Sequence, residues 1–143
     1  MAIRFSMILF NYETDFILKE EQILKDWIMN VVQENGFEVG EINYVFCDDE
    51  YLHKLNIEFL KHDTLTDIIS FDNTLGKLLN GDIFISIDRI NDNAKDYKVT
   101  FEEELHRVMI HGVLHYMGFK DKSDDDKKEM RNKENQALFC LNN

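Results

Sequence analysis

The sequence predicts an α+β domain: a single mixed sheet of about four strands, packed with about five helices. Two observations carry this prediction. Segments with strand-like alternation and segments with a helical stripe follow one another in the order β-α-β-α-β-β-α-α-α. The chain has 143 residues, enough for one good core and too few for two large ones. No linker, repeat or low-complexity stretch divides it, so residues 1–143 are expected to form one domain.

The first strand is expected over Ile3 to Phe10, a β-rich run. From Lys19 to Glu34, Ile23, Trp27 and Val31, with Leu24 and Ile28 beside them, form a helical stripe that Asn35-Gly36 closes. Between Glu41 and Cys47, Ile42, Tyr44 and Phe46 alternate with Asn43, Val45 and Cys47, as in a strand with two unlike faces. Asp48 then caps a helix running to about Leu60. DIISF (67–71) and DIFISI (82–87) read as short buried strands, with Asn80-Gly81 turning the chain into the second. Helices follow over Asp88 to Tyr97 and Thr100 to Met117, the latter opening with Thr100 and Glu103 as a capping box. The last helix starts at Ser123, and Asp124, Asp125 and Asp126 favour its positive end.

Composition narrows the classes of function. Hydrophobic residues make up 44% of the chain and charged residues 31%, as in a folded globular domain. Cys47 and Cys140 form no C-x-x-C motif and are expected to be buried, reduced thiols of a cytosolic protein. The start has no small-residue cleavage site, and no apolar run approaches the ~18–20 residues of a membrane span, so a cytoplasmic protein without a membrane partner is expected. A net charge of −12 argues against a broad nucleic-acid-coating surface while leaving room for a local site. Six of the 16 cationic residues fall between Lys120 and Lys133, next to the stretch HGVLHYMGFKD.

That stretch carries the chemistry. At ~100° per residue, Leu105, Val108, Met109, Ile110, Val113, Leu114 and Met117 cover most of the circumference of the helix from Thr100 to Met117. One narrow sector is polar: His111 and His115, one turn apart, share it with Glu104 and are flanked by Arg107. His106 lies ~140° from His111 and stays out of the cluster. An H-x-x-x-H pair aims two imidazole nitrogens at one point. Gly118 can adopt the left-handed conformation that ends the helix, and Asp121 arrives three residues later as an oxygen ligand. His111, His115 and Asp121 are therefore the expected ligands of one divalent ion, expected to be zinc, on a zincin-like helix. Zinc peptidases with this spacing place a glutamate after the first histidine as general base. Here that residue is Gly112, which fits a close approach of a strand, a backbone or a nucleotide better than peptide hydrolysis.

HGVLHYMGFKD (111–121) resembles the hallmark of the YbeY family of metal-dependent endoribonucleases. LNIEFLKHDTLTDIISF (55–71) and GDIFIS (81–86) resemble two further blocks of that family, in the same order. Two departures stand out: Asp121 replaces the third metal-binding histidine of the family, with Lys120 before it, and Leu60 stands where the family carries an arginine. The resemblance implies single-strand-specific cleavage of RNA in the maturation of ribosomal RNA, at the small subunit and in ribosome quality control. It implies ribosomal subunits or ribosome-associated proteins as partners and no role for DNA.

The general base is open: Glu104, Arg107 and Ser70 are the weak catalytic candidates. The resemblance implies that Asp67 and Ser70 approach the cleft if their strand lies beside the histidine helix, whereas Phe71 is expected in the core. Lys61, His62, Arg107 and Lys122 are the candidates for the cation missing at Leu60. Three alternatives stand beside this reading: a non-catalytic ribosome-associated metal-binding factor, a metallopeptidase, and a 2-His-1-carboxylate ferrous site.

Overall fold

The computed structural model describes residues 6–62 and 64–143. Its elements are β1 (Met7–Tyr12), α1 (Glu21–Glu34), β2 (Glu38–Cys47), α2 (Asp49–Leu60), β3 (Ile68–Asp72), β4 (Leu78–Ser86), α3 (Ile87–Tyr97), α4 (Phe101–Tyr116) and α5 (Asp124–Asn142). The order is the expected one. The strands form one mixed sheet in the order β1-β2-β4-β3, with β1 and β4 parallel to β2 and β3 antiparallel to β4. Parallel neighbours need a long crossover, and α1 supplies the one between β1 and β2.

The two faces of β2 decide where the helices go. Ile42, Tyr44 and Phe46 are fully buried in the main core, which also takes in Leu24 and Ile28 of α1, Met109 and Val113 of α4, and Met130 and Leu138 of α5. Two buried hydrogen bonds fix this layer. The Tyr44 hydroxyl donates to the carbonyl of Met109 at 2.8 Å, and the indole Nε1 of Trp27 donates to the carbonyl of Ala137 at 2.8 Å. On the opposite face a smaller cluster of Cys47, Leu52 and Ile69 seats α2 against the sheet. The Asp48 side chain accepts from the Tyr51 amide at 2.9 Å, so it caps α2 as its residue type predicts.

Several details differ from the sequence reading for identifiable reasons. Residues 1–5 lie outside the described residues, and β1 runs on to Tyr12 because its parallel register with β2 continues to Tyr12 opposite Phe46. Likewise β2 begins at Glu38, ahead of an irregularity between Val39 and Ile42. Ile23 is 51% exposed, and Val32 takes the buried place on α1. Cys140 is exposed on α5, while Cys47 is buried as expected, and both are free.

The largest difference concerns Asn80-Gly81, which is not a turn. Both residues lie inside β4, and the chain reverses earlier, around Gly76 at φ 60°. Asn80 Oδ1 accepts from the Glu41 amide at 2.9 Å, bracing the β2 irregularity. Gly81 leaves room for Tyr116, whose hydroxyl donates to the carbonyls of Phe71 and Asp82 at 3.0 and 3.1 Å. Gly112 has the analogous role on α4: a Cβ there would press on the Ile83 and Ile68 side chains, so this glycine admits the strands.

A Cβ at Gly81 would strike the Phe71 carbonyl and the Tyr116 ring at once, a backbone and a packed ring that cannot both move aside. Gly81→Ala should therefore lower stability by roughly 2–4 kcal/mol in urea unfolding, as overpacking and lost hydrogen bonds add. A change within 0.5 kcal/mol, roughly the range of a neutral surface substitution, would show that Tyr116 is not held as described.

Candidate metal centre

Helix α4 is positioned at both ends. Thr100 Oγ accepts from the Glu103 amide at 3.1 Å, the first half of the expected capping box, while the Glu103 carboxylate turns toward Arg107 at 4.0 Å. At the other end Gly118 adopts φ 97°, with its amide donating to the His115 carbonyl at 2.9 Å and the Phe119 amide donating to Leu114 at 3.1 Å. This left-handed turn closes the helix and sends the chain back along its polar sector. Asp121 returns beside the two histidines.

His111 Nε2 and His115 Nε2 lie 3.0 Å apart, and Asp121 Oδ2 is 3.3 Å from each. A tetrahedral ion with bonds of ~2.0–2.1 Å requires ligand atoms about 3.3 Å apart, so the two Asp121 edges match and the histidine pair need only part by a few tenths of an ångström. Among the described residues these three form the one group of three or more metal-type ligands whose atoms converge. Asp121 is 43% exposed, which leaves the outer side of the triangle accessible. A cavity of about 470 Å³ opens there, lined by His111, Asp121, Lys127, Lys128, Arg131 and Glu134 among others.

Glu134 of α5 is the residue that sequence reasoning missed. It is 5% exposed, and its Oε2 takes the hydrogen bond of His111 Nδ1 at 2.7 Å. Its Oε1 accepts from Arg107 Nη1 at 3.1 Å. Burial alone would lower the pKa of His111, but the hydrogen bond and charge of Glu134, with Asp121 and Asp67, outweigh it and raise the value. Burial likewise works to raise the Glu134 carboxyl, and its bonds to His111 and Arg107 bring it below the usual range. The bond fixes Nδ1 as donor and turns the Nε2 lone pair toward the triangle. A signal was present: Glu134 interrupts the buried stripe Met130, Ala137, Leu138 of α5, where an acid has no place without a partner.

The other candidates divide. Asp67 reaches the neighbourhood, lining a second cavity of about 280 Å³ with Glu104, Arg107 and His111. Ser70 lines neither cavity; it is exposed and engages Tyr116 instead. Glu104 is buried at 4% exposure but does not bond to His111, the place being held by Glu134. Arg107 is drawn inward, with Nη1 on Glu134 and on Asn135 Oδ1 at 2.9 Å. His106 stays apart as expected, edge-on to Trp27 with ring centroids 6.1 Å apart. Phe71, expected in the core, is half-buried and packs against Phe59 and Phe84 beside the smaller cluster. None of Leu60, Lys61, His62 or Lys122 lines either cavity.

Two outcomes follow from the buried carboxylates. Glu134→Gln keeps the shape but weakens the acceptor behind His111, so zinc affinity in a chelator competition should fall by roughly tenfold or more. Unchanged affinity would show that His111 is oriented without it. Glu104 behaves differently, because burial, then the charge of Asp67, push its carboxyl up to about 7 from 4.5. A raised carboxyl opposes folding fully above the folded value and not at all below the unfolded one. Glu104→Gln should therefore stabilise by about 1–3 kcal/mol at pH 8, with the gain shrinking toward zero as pH falls to 4.5. Thermal melts at both ends of that window check it, and a gain that does not depend on pH would refute the assignment.

Comparison with known proteins bears on the family and the fold. The family model described as Endoribonuclease YbeY matches residues 10–142. A relative from Flavobacterium johnsoniae named Endoribonuclease YbeY is 60% identical over 92% of this chain and 95% of its own length. One of the same name from Porphyromonas gingivalis is 50% identical over 84% of this chain and 80% of its own. The solution structure of TM1509 from Thermotoga maritima shares the fold with a TM-score of 0.68 at 24% identity, covering 94% of this chain and 88% of that one. With the family match spanning almost all of the described fold, the chain belongs to the YbeY family.

Proposed function

We propose that residues 1–143 form one metal-dependent endoribonuclease domain that cleaves single-stranded RNA during ribosomal RNA maturation in the cytoplasm. The observation that carries this reading is the triangle of His111 Nε2, His115 Nε2 and Asp121 Oδ2, open on one side to a cleft with three cations. The family's name supports hydrolysis of RNA, and 50–60% identity to relatives so named supports carrying the activity to this chain. Ribosomal subunits are the expected partners under the same reading. No helix among the described residues is long and apolar enough to cross a membrane.

His111, His115 and Asp121 would hold a divalent ion, with zinc suited to the donor set, and once bound it would supply Lewis acidity toward a phosphoryl oxygen and water. The protein's residues do the rest. Glu134 holds His111 in the tautomer that exposes Nε2, and Arg107 holds Glu134 ionised. Lys127, Lys128 and Arg131 line the outer cleft, where they neutralise phosphate and the charge that develops on it. A peptidase mechanism lacks its base, since Gly112 occupies that position and is covered by Ile83 and Ile68.

The test pairs metal analysis with cleavage of a labelled single-stranded RNA by the wild type, His111→Ala and Asp121→Ala. Wild type should carry bound metal and cut the RNA, and both variants should lose metal and activity together. Metal retained in both variants would remove the site. Metal binding without RNA cleavage by wild type would leave a ribosome-associated factor in place of an enzyme.

A further inference from the structure

The second cavity, on the N-terminal side of His111, has a polar lining that the fold does not require. It measures about 280 Å³, and Asp67, Tyr97, Glu104, Arg107, His111 and Arg131 contribute to its walls. The needs of most of these groups are met within the protein. Arg107 is bound to Glu134 and Asn135, and Asp67 Oδ2 accepts from Asn93 Nδ2 at 3.4 Å. Glu104 is the exception. It is 4% exposed and faces the cavity, and its carboxylate takes no hydrogen bond from the described residues. Among the described residues no side-chain oxygen or nitrogen is sealed from solvent without a partner, so the unpaired Glu104 carboxylate opens onto the cavity, where a ligand can supply its donors.

The lining limits what the ligand can be. A metal cation is disfavoured by the guanidiniums of Arg107 and Arg131, and Asp67 and Glu104 belong to no converging group of three ligands. An anion in the same space would meet both carboxylates. A flat, uncharged group with two adjacent N–H donors suits it better. Among the four RNA bases only guanine presents such a pair on its Watson–Crick edge, N1–H beside the exocyclic amino group; adenine and cytosine pair a donor with an acceptor, and uracil flanks one donor with two acceptors. Tyr97, 60% exposed, adds an aromatic face to the rim.

Placement points the same way. Glu104 stands two helical turns from His111, about 10 Å along the axis, about the reach from a phosphate to the base of the next nucleotide. This cavity and the outer cleft share His111, Arg131 and Glu134, so a strand crossing the metal centre can enter both. We propose that the cavity is a nucleobase subsite that seats a guanine of single-stranded RNA beside the scissile phosphate, with the Glu104 carboxylate accepting from N1–H and the amino group and Tyr97 stacking on the ring. The position beside the scissile phosphate rests on the endoribonuclease reading above, but guanine binding can be measured without it.

The experiment measures binding of the four nucleoside 5′-monophosphates by calorimetry at pH 8 to the wild type, Glu104→Gln and Tyr97→Ala, together with bound metal. Alongside it, single-stranded RNAs of one sequence, with each base in turn at the positions flanking the cut, are tested as substrates. Guanosine monophosphate should bind the wild type about tenfold or more tightly than the others, the discrimination expected of a bidentate pair. Glu104→Gln should lose that preference with unchanged metal content, Tyr97→Ala should weaken all four, and cleavage should favour guanine at one flanking position. Equal binding of the four nucleotides, or a guanine preference that survives in Glu104→Gln, would overturn the subsite. Selective binding of guanosine monophosphate without RNA cleavage would sustain the subsite and overturn the hydrolytic reading alone.

Discussion

The hydrogen bond from His111 Nδ1 to Glu134 Oε2, at 2.7 Å, joins the helix that carries the histidines to the helix that closes the chain. It decides which imidazole nitrogen faces the triangle, and it gives Arg107, at 14% side-chain exposure, a counter-charge it cannot do without. Removing one member of such a buried set leaves another uncompensated, at about 3–5 kcal/mol. The ligand geometry thus depends on the packing of α5. That packing is set beside the candidate centre by Met130, which also lines its cavity, and elsewhere by Leu138 in the core and the Trp27 bond to Ala137. The core and the site are one construction.

The order of elements could be read from the sequence because it depends on periodicity, which is local. Three capped termini were also legible, at Asp48, Thr100 and Ser123, since a cap acts over three residues, whereas the Ser86 cap of α3 was hidden inside the apolar run read as a strand. Errors arose where a tertiary contact overrode a local preference. Asn80-Gly81 looks like a turn, yet Gly81 is a glycine because Tyr116 packs over it, and Asn80 braces a neighbouring strand. Ile23 fits the helical stripe by spacing, but α1 is rotated so that Val32 is buried instead.

The same division holds at the site. His111, His115 and Asp121 lie within eleven residues and are joined by one helix and one glycine turn, so local rules suffice to bring them together. Glu134 comes from another helix, and a pattern on α4 alone cannot reveal it. Its mark is on α5 itself, as an acid in an apolar stripe. Glu104 shares the histidine sector of the wheel, so it stood as the natural second carboxylate. The wheel ignores the axis, and two turns of rise separate it from His111. Equal azimuth is not contact.

Charge distribution explains how a chain of net charge −12 can present a site to a polyanion. At physiological salt the screening length is ~8 Å, so carboxylates on remote faces contribute little in the cleft. What counts there is the face of α5 that carries Lys127, Lys128 and Arg131, one turn long and directed at the metal centre. The triplet Asp124, Asp125, Asp126 opens the same helix, where Asp126 completes a capping box with Ser123 and the acids suit the positive helix end. On α2 the situation is reversed: Ile57, Phe59 and Leu60 are exposed apolar residues at its C-terminal end. Leu60 removes positive charge on the α2 side, and the lining cations stand on the α5 side. Under the proposed reading, a phosphate chain at the triangle would meet its counter-charge from α5, along the cleft that Asp121 and Glu134 border.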